Sequence, residues 1–175
     1  MMIEKIETFV LKDKLSKSFF FSQWEYSERC ICVVRITASN GEFGWGEGYG
    51  PAHILNEGIK FLEPHIIGKN PLENEVIWST MYRKTLDYAR RGILVASMSA
   101  IDIALWDLKG KILNLPIATL LGGAHRNEIK PYATGLYFTD PKNPSRDFEK
   151  EVALYKSQGF KAIKMKVGLG INEDF

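Results

Sequence analysis

The chain has 175 residues, a formal net charge of +2, 45% hydrophobic residues and 25% charged residues, a composition ordinary for globular proteins. Its basic side chains are scattered rather than clustered, which argues against nucleic acid and an acidic membrane surface as partners. No apolar run approaches the roughly 20 residues of a spanning helix, and Met1-Met2-Ile3-Glu4-Lys5 lacks the apolar core of a secretory signal, so a cytoplasmic location is expected.

Residues Ile3 to Leu11 alternate imperfectly and predict a first strand. The following stretch, Lys14 to Trp24, has no clear period and reads as a loop with three adjacent phenylalanines, Phe19, Phe20 and Phe21. A second strand is expected over Cys30 to Ala38, rich in Val and Ile. Its two cysteines, Cys30 and Cys32, stand two apart and so share a face, where small apolar packing is favoured over metal binding. The three histidines, His53, His65 and His125, are too scattered to complete a thiolate site. Ser39-Asn40-Gly41-Glu42 is a hairpin turn, because Asn-Gly tolerates the positive φ that tight turns require. A third strand, Phe43 to Glu47, completes an antiparallel three-stranded meander.

From Ile54 the period becomes helical. Ile54, Leu55, Ile59, Leu62 and Ile66 predict an amphipathic helix closed by Gly68, and a second helix follows Pro71 with Val76, Ile77, Met81 and Tyr82. The third, from about Gly92 to Lys111, is apolar on nearly every side and therefore central. Its small residues Ala96, Ser97, Ala100 and Ala104 would admit neighbours closely. Asp102 and Asp107 stand about 140° apart around this helix and cannot share a metal, whereas Asp107 and Lys111, at i and i+4, fit an ion pair. After Gly122-Gly123 the organisation changes: a strand over Ile129 to Thr134, a turn over 141–146, a helix over Asp147 to Gln158 and a strand over Ala162 to Val167. That order builds parallel sheet. The expected domains are 1–125, α+β, and 126–175, a βα unit.

Ala162-Ile-Lys-Met-Lys-Val167 is the sharpest local feature. Strand alternation places Lys164 and Lys166 on one face with Cα atoms roughly 6.6 Å apart. If that face is buried, each ammonium disfavours the other's charged form, the condition a general base needs. If the strand is an edge, the same lysines are a solvated face that resists aggregation. Spacing alone leaves both open.

The motifs taken together are more specific. Gly44-Trp-Gly-Glu47, Ser99-Ala-Ile-Asp-Ile-Ala-Leu-Trp-Asp-Leu-Lys-Gly-Lys111, Pro116-Ile-Ala-Thr-Leu-Leu-Gly-Gly123 and Gly159-Phe-Lys-Ala-Ile-Lys-Met-Lys166 occur in one order along the chain. This ordered set resembles the mandelate racemase/muconate lactonizing group of the enolase superfamily. Gly44 to Ala52, Tyr132-Ala-Thr-Gly135 and the run from Gly168 to Asp174 look most like galactarolactone cycloisomerases and related acid-sugar enzymes. The resemblance implies an α+β capping domain, a three-stranded antiparallel meander plus a helical bundle, followed by the start of a (β/α) TIM-like barrel with its site at the C-terminal strand ends.

It further implies abstraction of a proton α to a carboxylate, with Mg²⁺ stabilising the enediolate. Lys166 would be the base, Lys164 would steady the substrate carboxylate, and Thr134, sharing a face with Tyr132, would donate a hydrogen bond to it. Substrate choice would come from two capping segments, 14–24 and 48–53, through Phe20, Trp24, Tyr49 and His53, with two of the three phenylalanines serving as anchors instead. The implied partners are a small-molecule carboxylate and further copies of the chain. Cycloisomerisation of an aldarate lactone or dehydration of an acid sugar leads. Racemisation or epimerisation, and a catalytically inactive folding or association module, remain alternatives. Only about 50 residues follow the capping domain, against roughly 200 or more in a whole barrel. The metal ligands are accordingly expected downstream of Phe175, and the 175-residue chain alone is expected to be inactive.

Overall fold

The computed structural model describes residues 1–22, 24–140, 142–143, 145 and 147–168; the expected turn over 141–146 falls partly outside them. The elements, in order, are β1 (Ile3–Phe21), β2 (Trp24–Ala38), β3 (Phe43–Gly48), α1 (Ala52–Leu62), a 3-10 turn (Glu63–His65), α2 (Asn74–Lys84), α3 (Ile93–Leu113), α4 (Ile117–Leu120), β4 (Ala133–Thr134), α5 (Phe148–Ser157) and β5 (Ile163–Lys164). They form two compact units. The first comprises Met1–Lys12 and Cys30–His125, the second Asp13–Arg29 and Arg126–Phe175. Among the described residues, no helix is long and apolar enough to cross a membrane.

The first unit is built on the sheet β1-β2-β3. Strands β2 and β3 pair antiparallel from Cys32↔Gly48 to Thr37↔Phe43 across the Asn-Gly turn, with Gly41 at φ +86°. Cys32, Val34, Ile36 and Ala38 alternate inward and are fully buried, so the period-2 pattern read from the sequence is the inner face of the sheet. Cys30 packs against the same core, and burial, with the neighbouring Cys30, pushes the Cys32 thiol up. Both thiols are free, and both side chains pack under the sheet.

Helix α3 runs through the middle of this unit, burying Met98, Ile101, Leu105 and Leu108 with Ser97, Ala100, Ala104 and Gly110. Only a thin strip stays wet, Ile103 among it. Leu55, Ile59 and Leu62 of α1 and Ile77 and Met81 of α2 complete the core. One polar tie joins α3 to β3. Asp107 Oδ2 accepts the Trp45 N–H at 2.8 Å and the Lys111 ammonium at 2.7 Å, and Lys111 also donates to the Phe43 carbonyl at 3.0 Å. The i, i+4 pair thus clips a strand as well as a helix turn. Asp107→Ala is expected to cost about 1 kcal/mol, since it removes the shared acceptor of two solvent-facing hydrogen bonds, while Lys111 keeps the Phe43 carbonyl. Denaturant unfolding measures this; an unchanged midpoint would show the clip to be idle.

The second unit holds the outer arms of the β1–β2 hairpin, 13–29, and the βα segment. Here the structure departs from the sequence reading, because 14–24 is not a loop: β1 continues to Phe21 and β2 resumes at Trp24. Most of this arm is exposed or half-buried on both sides, so no alternation marks it. Conversely, the expected strand from Ile129 shrinks to Ala133–Thr134, because only those residues have ladder partners, and Ile129 is exposed.

The Glu151 carboxylate ties helix α5 to the segment that follows β4. Glu151 Oε1 accepts the Leu136 N–H at 3.1 Å and the Tyr155 hydroxyl at 2.6 Å. That hydrogen bond to an anion, helped by burial and the Glu151 charge, pushes Tyr155 up to about 12 from an ordinary 10.0. The folded value lies above the unfolded one. Its contribution to stability is therefore complete below about pH 10 and lost as pH rises toward about 12. In a tyrosinate absorbance titration, Tyr155 should ionise late, and Glu151→Gln should return it toward its ordinary value. A Tyr155 that titrates identically in both proteins would break this link.

Candidate active site

Strands β4 and β5 pair in parallel, with Ala133 opposite Ile163 and Thr134 opposite Lys164. The ladder is extended by Ala133 N–H to Ala162 O and Gly135 N–H to Lys164 O, each 3.0 Å. Residues directly opposite each other point to the same side, and successive residues alternate. One side is occupied by α5, because a Cβ on Gly135 would run into the Tyr155 hydroxyl and the Glu151 carboxylate. Ala133, two residues earlier, is buried on that side. Thr134 and Lys164 consequently stand side by side on the face turned away from the helix. Both are exposed.

Lys166 follows β5 and is half-buried, between Met165 and Val167, which are exposed. Its ammonium lies 5.0 Å from the centre of the Phe21 ring and 5.4 Å from that of Tyr137. Phe21 belongs to the hairpin arm. That arm is stitched to the segment after β4 by a pair of backbone hydrogen bonds, Phe20 N–H to Phe138 O at 2.7 Å and Phe138 N–H to Phe20 O at 3.0 Å. Phe19 and Phe21, two apart on the strand, stack with Tyr26 and meet the edge or face of Tyr137.

The remaining candidates are spread out. Phe20 is half-buried, and its backbone makes the stitch. Trp24, at the start of β2, and Tyr132, before β4, are 67% and 57% exposed and so free to meet a ligand. Tyr49 and His53 belong to the first unit. Tyr49 follows β3 and is 95% exposed, and His53 is exposed in the first turn of α1. Sequence reasoning missed Tyr137 altogether. No motif flags it, and its role is visible only once the hairpin arm is folded against it.

Among the described residues, no group of three or more His, Cys, Asp or Glu side chains could hold a metal ion. The amine-and-hydroxyl face of β4 and β5 offers cations and a donor, which suit an anionic ligand and not a cation.

Residues 5–122 match the family described as "Mandelate racemase / muconate lactonizing enzyme, N-terminal domain". The chain belongs to the mandelate racemase/muconate lactonizing enzyme family. Over 174 residues, 99% of the chain, it is 35% identical to the D-galactarolactone cycloisomerase of Agrobacterium fabrum, covering 46% of that protein. Among solved structures, the 3,6-anhydro-D-galactonate cycloisomerase of Zobellia galactanivorans is 50% identical with a TM-score of 0.85 over 99% of the chain and 45% of its own length. The L-talarate/galactarate dehydratase of Salmonella typhimurium, solved with Mg and L-lyxarohydroxamate, is 27% identical with a TM-score of 0.82, over 98% of the chain and 46% of its own. The chain thus spans a little under half the length of these mandelate racemase/muconate lactonizing relatives, which act on sugar-derived acids as cycloisomerases and dehydratases.

Proposed function

We propose that this chain is the front portion of an enzyme that removes the proton α to the carboxylate of a sugar-derived acid, with 1–125 as its cap and 126–175 opening its barrel. The observation that carries the reading is the pairing of Thr134 with Lys164 on the strand face opposite α5. In a closed (β/α) barrel helices cover the outside, so the face away from the helix is the one turned to the lumen. Lys166, two residues beyond Lys164, reaches the strand's C-terminal end, where such barrels keep their chemistry.

The chemistry follows from the side chains. Lys166, with its nitrogen neutral, takes the α-proton and becomes an ammonium. Electron density from the broken C–H bond moves into the carboxylate, whose oxygens gain charge as the enediolate forms. Lys164 and the Thr134 hydroxyl donate to those oxygens and so act most strongly where charge develops. Collapse of the enediolate then expels a ring oxygen, in cycloisomerisation, or a hydroxyl, in dehydration. Tyr132, Tyr49, His53, Phe20 and Trp24 are the side chains proposed to meet the rest of the substrate. The complete enzyme is proposed to use Mg²⁺, which would supply charge stabilisation when bound, and the roles given to Lys164, Lys166 and Thr134 do not depend on where its ligands lie.

The two cycloisomerase relatives favour lactone or anhydro-sugar acids as first substrates. Incubating the complete protein with Mg²⁺ in D₂O against D-galactarolactone, 3,6-anhydro-D-galactonate, galactarate and L-talarate should give turnover or loss of an α-proton NMR signal with at least one. Silence across this panel and a wider set of aldonates and aldarates would overturn the proposal.

A further inference from the structure

We propose that Phe21 and Tyr137 are positioning residues for Lys166, a two-ring clasp that holds its ammonium where the proton has been received; this rests on the reading of Lys166 as the base. A lysine carries its nitrogen on four rotatable bonds, and holding it in one place costs rotamer entropy. A carboxylate would hold it but would favour the ammonium more strongly than an aromatic ring does. Among the described residues no ion pair reaches Lys166; two aromatic faces stand at 5.0 and 5.4 Å instead. Both distances fall within the roughly 6 Å over which a ring attracts a cation.

The rings are themselves fixed. Phe21 stacks on Tyr26 at 5.2 Å, and Tyr137 meets the edge of Phe19 at 4.6 Å. The backbone stitch between Phe20 and Phe138 adjoins both rings, one residue away from each. Just before Tyr137, Leu136 adopts φ +55°, a conformation a branched side chain rarely takes, while its N–H is held by Glu151. A strained turn secured on one side by Glu151 and on the other by the stitch sets the direction of Tyr137. The Phe19–Tyr26 pair is in turn capped by the Arg29 guanidinium, 4.7 Å from Phe19. The hairpin arm therefore holds the base in place as well as neighbouring the substrate.

Competitive acetylation of the complete protein with limiting acetic anhydride, read by mass spectrometry as the Lys166 rate over that of exposed Lys150, reports the clasp without any substrate. In Tyr137→Leu and in Phe21→Leu the ratio should rise by about threefold or more, and in Tyr137→Phe, which keeps the ring face, it should stay at the wild-type value. Should Tyr137→Leu fail to fold, Phe21→Leu alone decides. A ratio unchanged in the folded leucine variants, or raised equally in Tyr137→Phe, overturns the clasp. Lys166→Gln separates the two ideas: if turnover survives in it, while Tyr137→Leu and Phe21→Leu in the Lys166 protein still raise the ratio, the base assignment falls and only the rings' hold on the Lys166 side chain remains.

Discussion

Lys166→Ala in the complete protein is expected to slow α-proton exchange by roughly 10²- to 10⁴-fold, the usual worth of a positioned general base. Substrate binding should change far less, because Lys164 and Thr134, which are proposed to hold the carboxylate, remain paired on their strands. Lys164→Ala should behave differently and weaken both steps. Its ammonium contacts the carboxylate in the ground state and does so more strongly as the enediolate charge develops, so kcat and KM should both worsen. A Lys166→Ala protein that exchanges the α-proton at the wild-type rate would remove the base from this strand.

Gly44→Ala and Gly46→Ala are expected to produce the largest losses of stability, about 3 kcal/mol or more each, with failure to fold a natural outcome. Neither glycine is needed for its backbone angles; both are needed for space. A Cβ on Gly44 would meet the Ala104 carbonyl oxygen, the Leu108 amide nitrogen and the Leu108 Cβ, all closer than 3.0 Å. On Gly46 it would meet the Ala100 carbonyl oxygen and the Ala104 amide nitrogen, also inside 3.0 Å. These obstacles are mainly helix backbone, which cannot rotate aside. The strand lies directly on α3, and Ala100 and Ala104 on the helix side permit the same approach. As a control, Gly41→Ala adds a Cβ that meets nothing and tests only the positive φ of the turn, so it should cost much less. Thermal unfolding that ranks Gly44→Ala with Gly41→Ala would contradict this account of the contact.

The fold was legible wherever a segment has one wet face and one dry one. Strand β2 alternates from Cys32 to Ala38 because its inner side chains are fully buried, and α3 lacks a wide polar stripe because it is surrounded. The small residues at 100 and 104 announced a close neighbour, and Gly44 and Gly46 prove to be its other half. The hairpin arm was not legible because neither side of it lies wholly on a core, so the period-2 burial that marks a half-buried strand is missing there. Strand β4 was drawn too long for the opposite reason: Ile129 to Tyr132 is apolar enough to suggest a strand but has no ladder partner.

For the site, alternation predicted a shared face for Lys164 and Lys166 but could not say which way Lys164 turns, and β5 ends at Lys164, short of Lys166. The parallel register and the packing of Gly135 on α5 supply that direction. Tyr137 could not have been found by pattern, since it meets Phe21, more than a hundred residues before it in the chain, and Lys166, which follows it, only in the folded structure.

The most direct test is a crystal structure of the complete protein with a hydroxamate analogue of its acid substrate. The account predicts the analogue on the Thr134–Lys164 face, with the Lys164 and Lys166 nitrogens within hydrogen-bond reach, about 2.6–3.2 Å, of the atoms that mimic the enediolate. An analogue seated elsewhere, with both amines turned to bulk water, would contradict it.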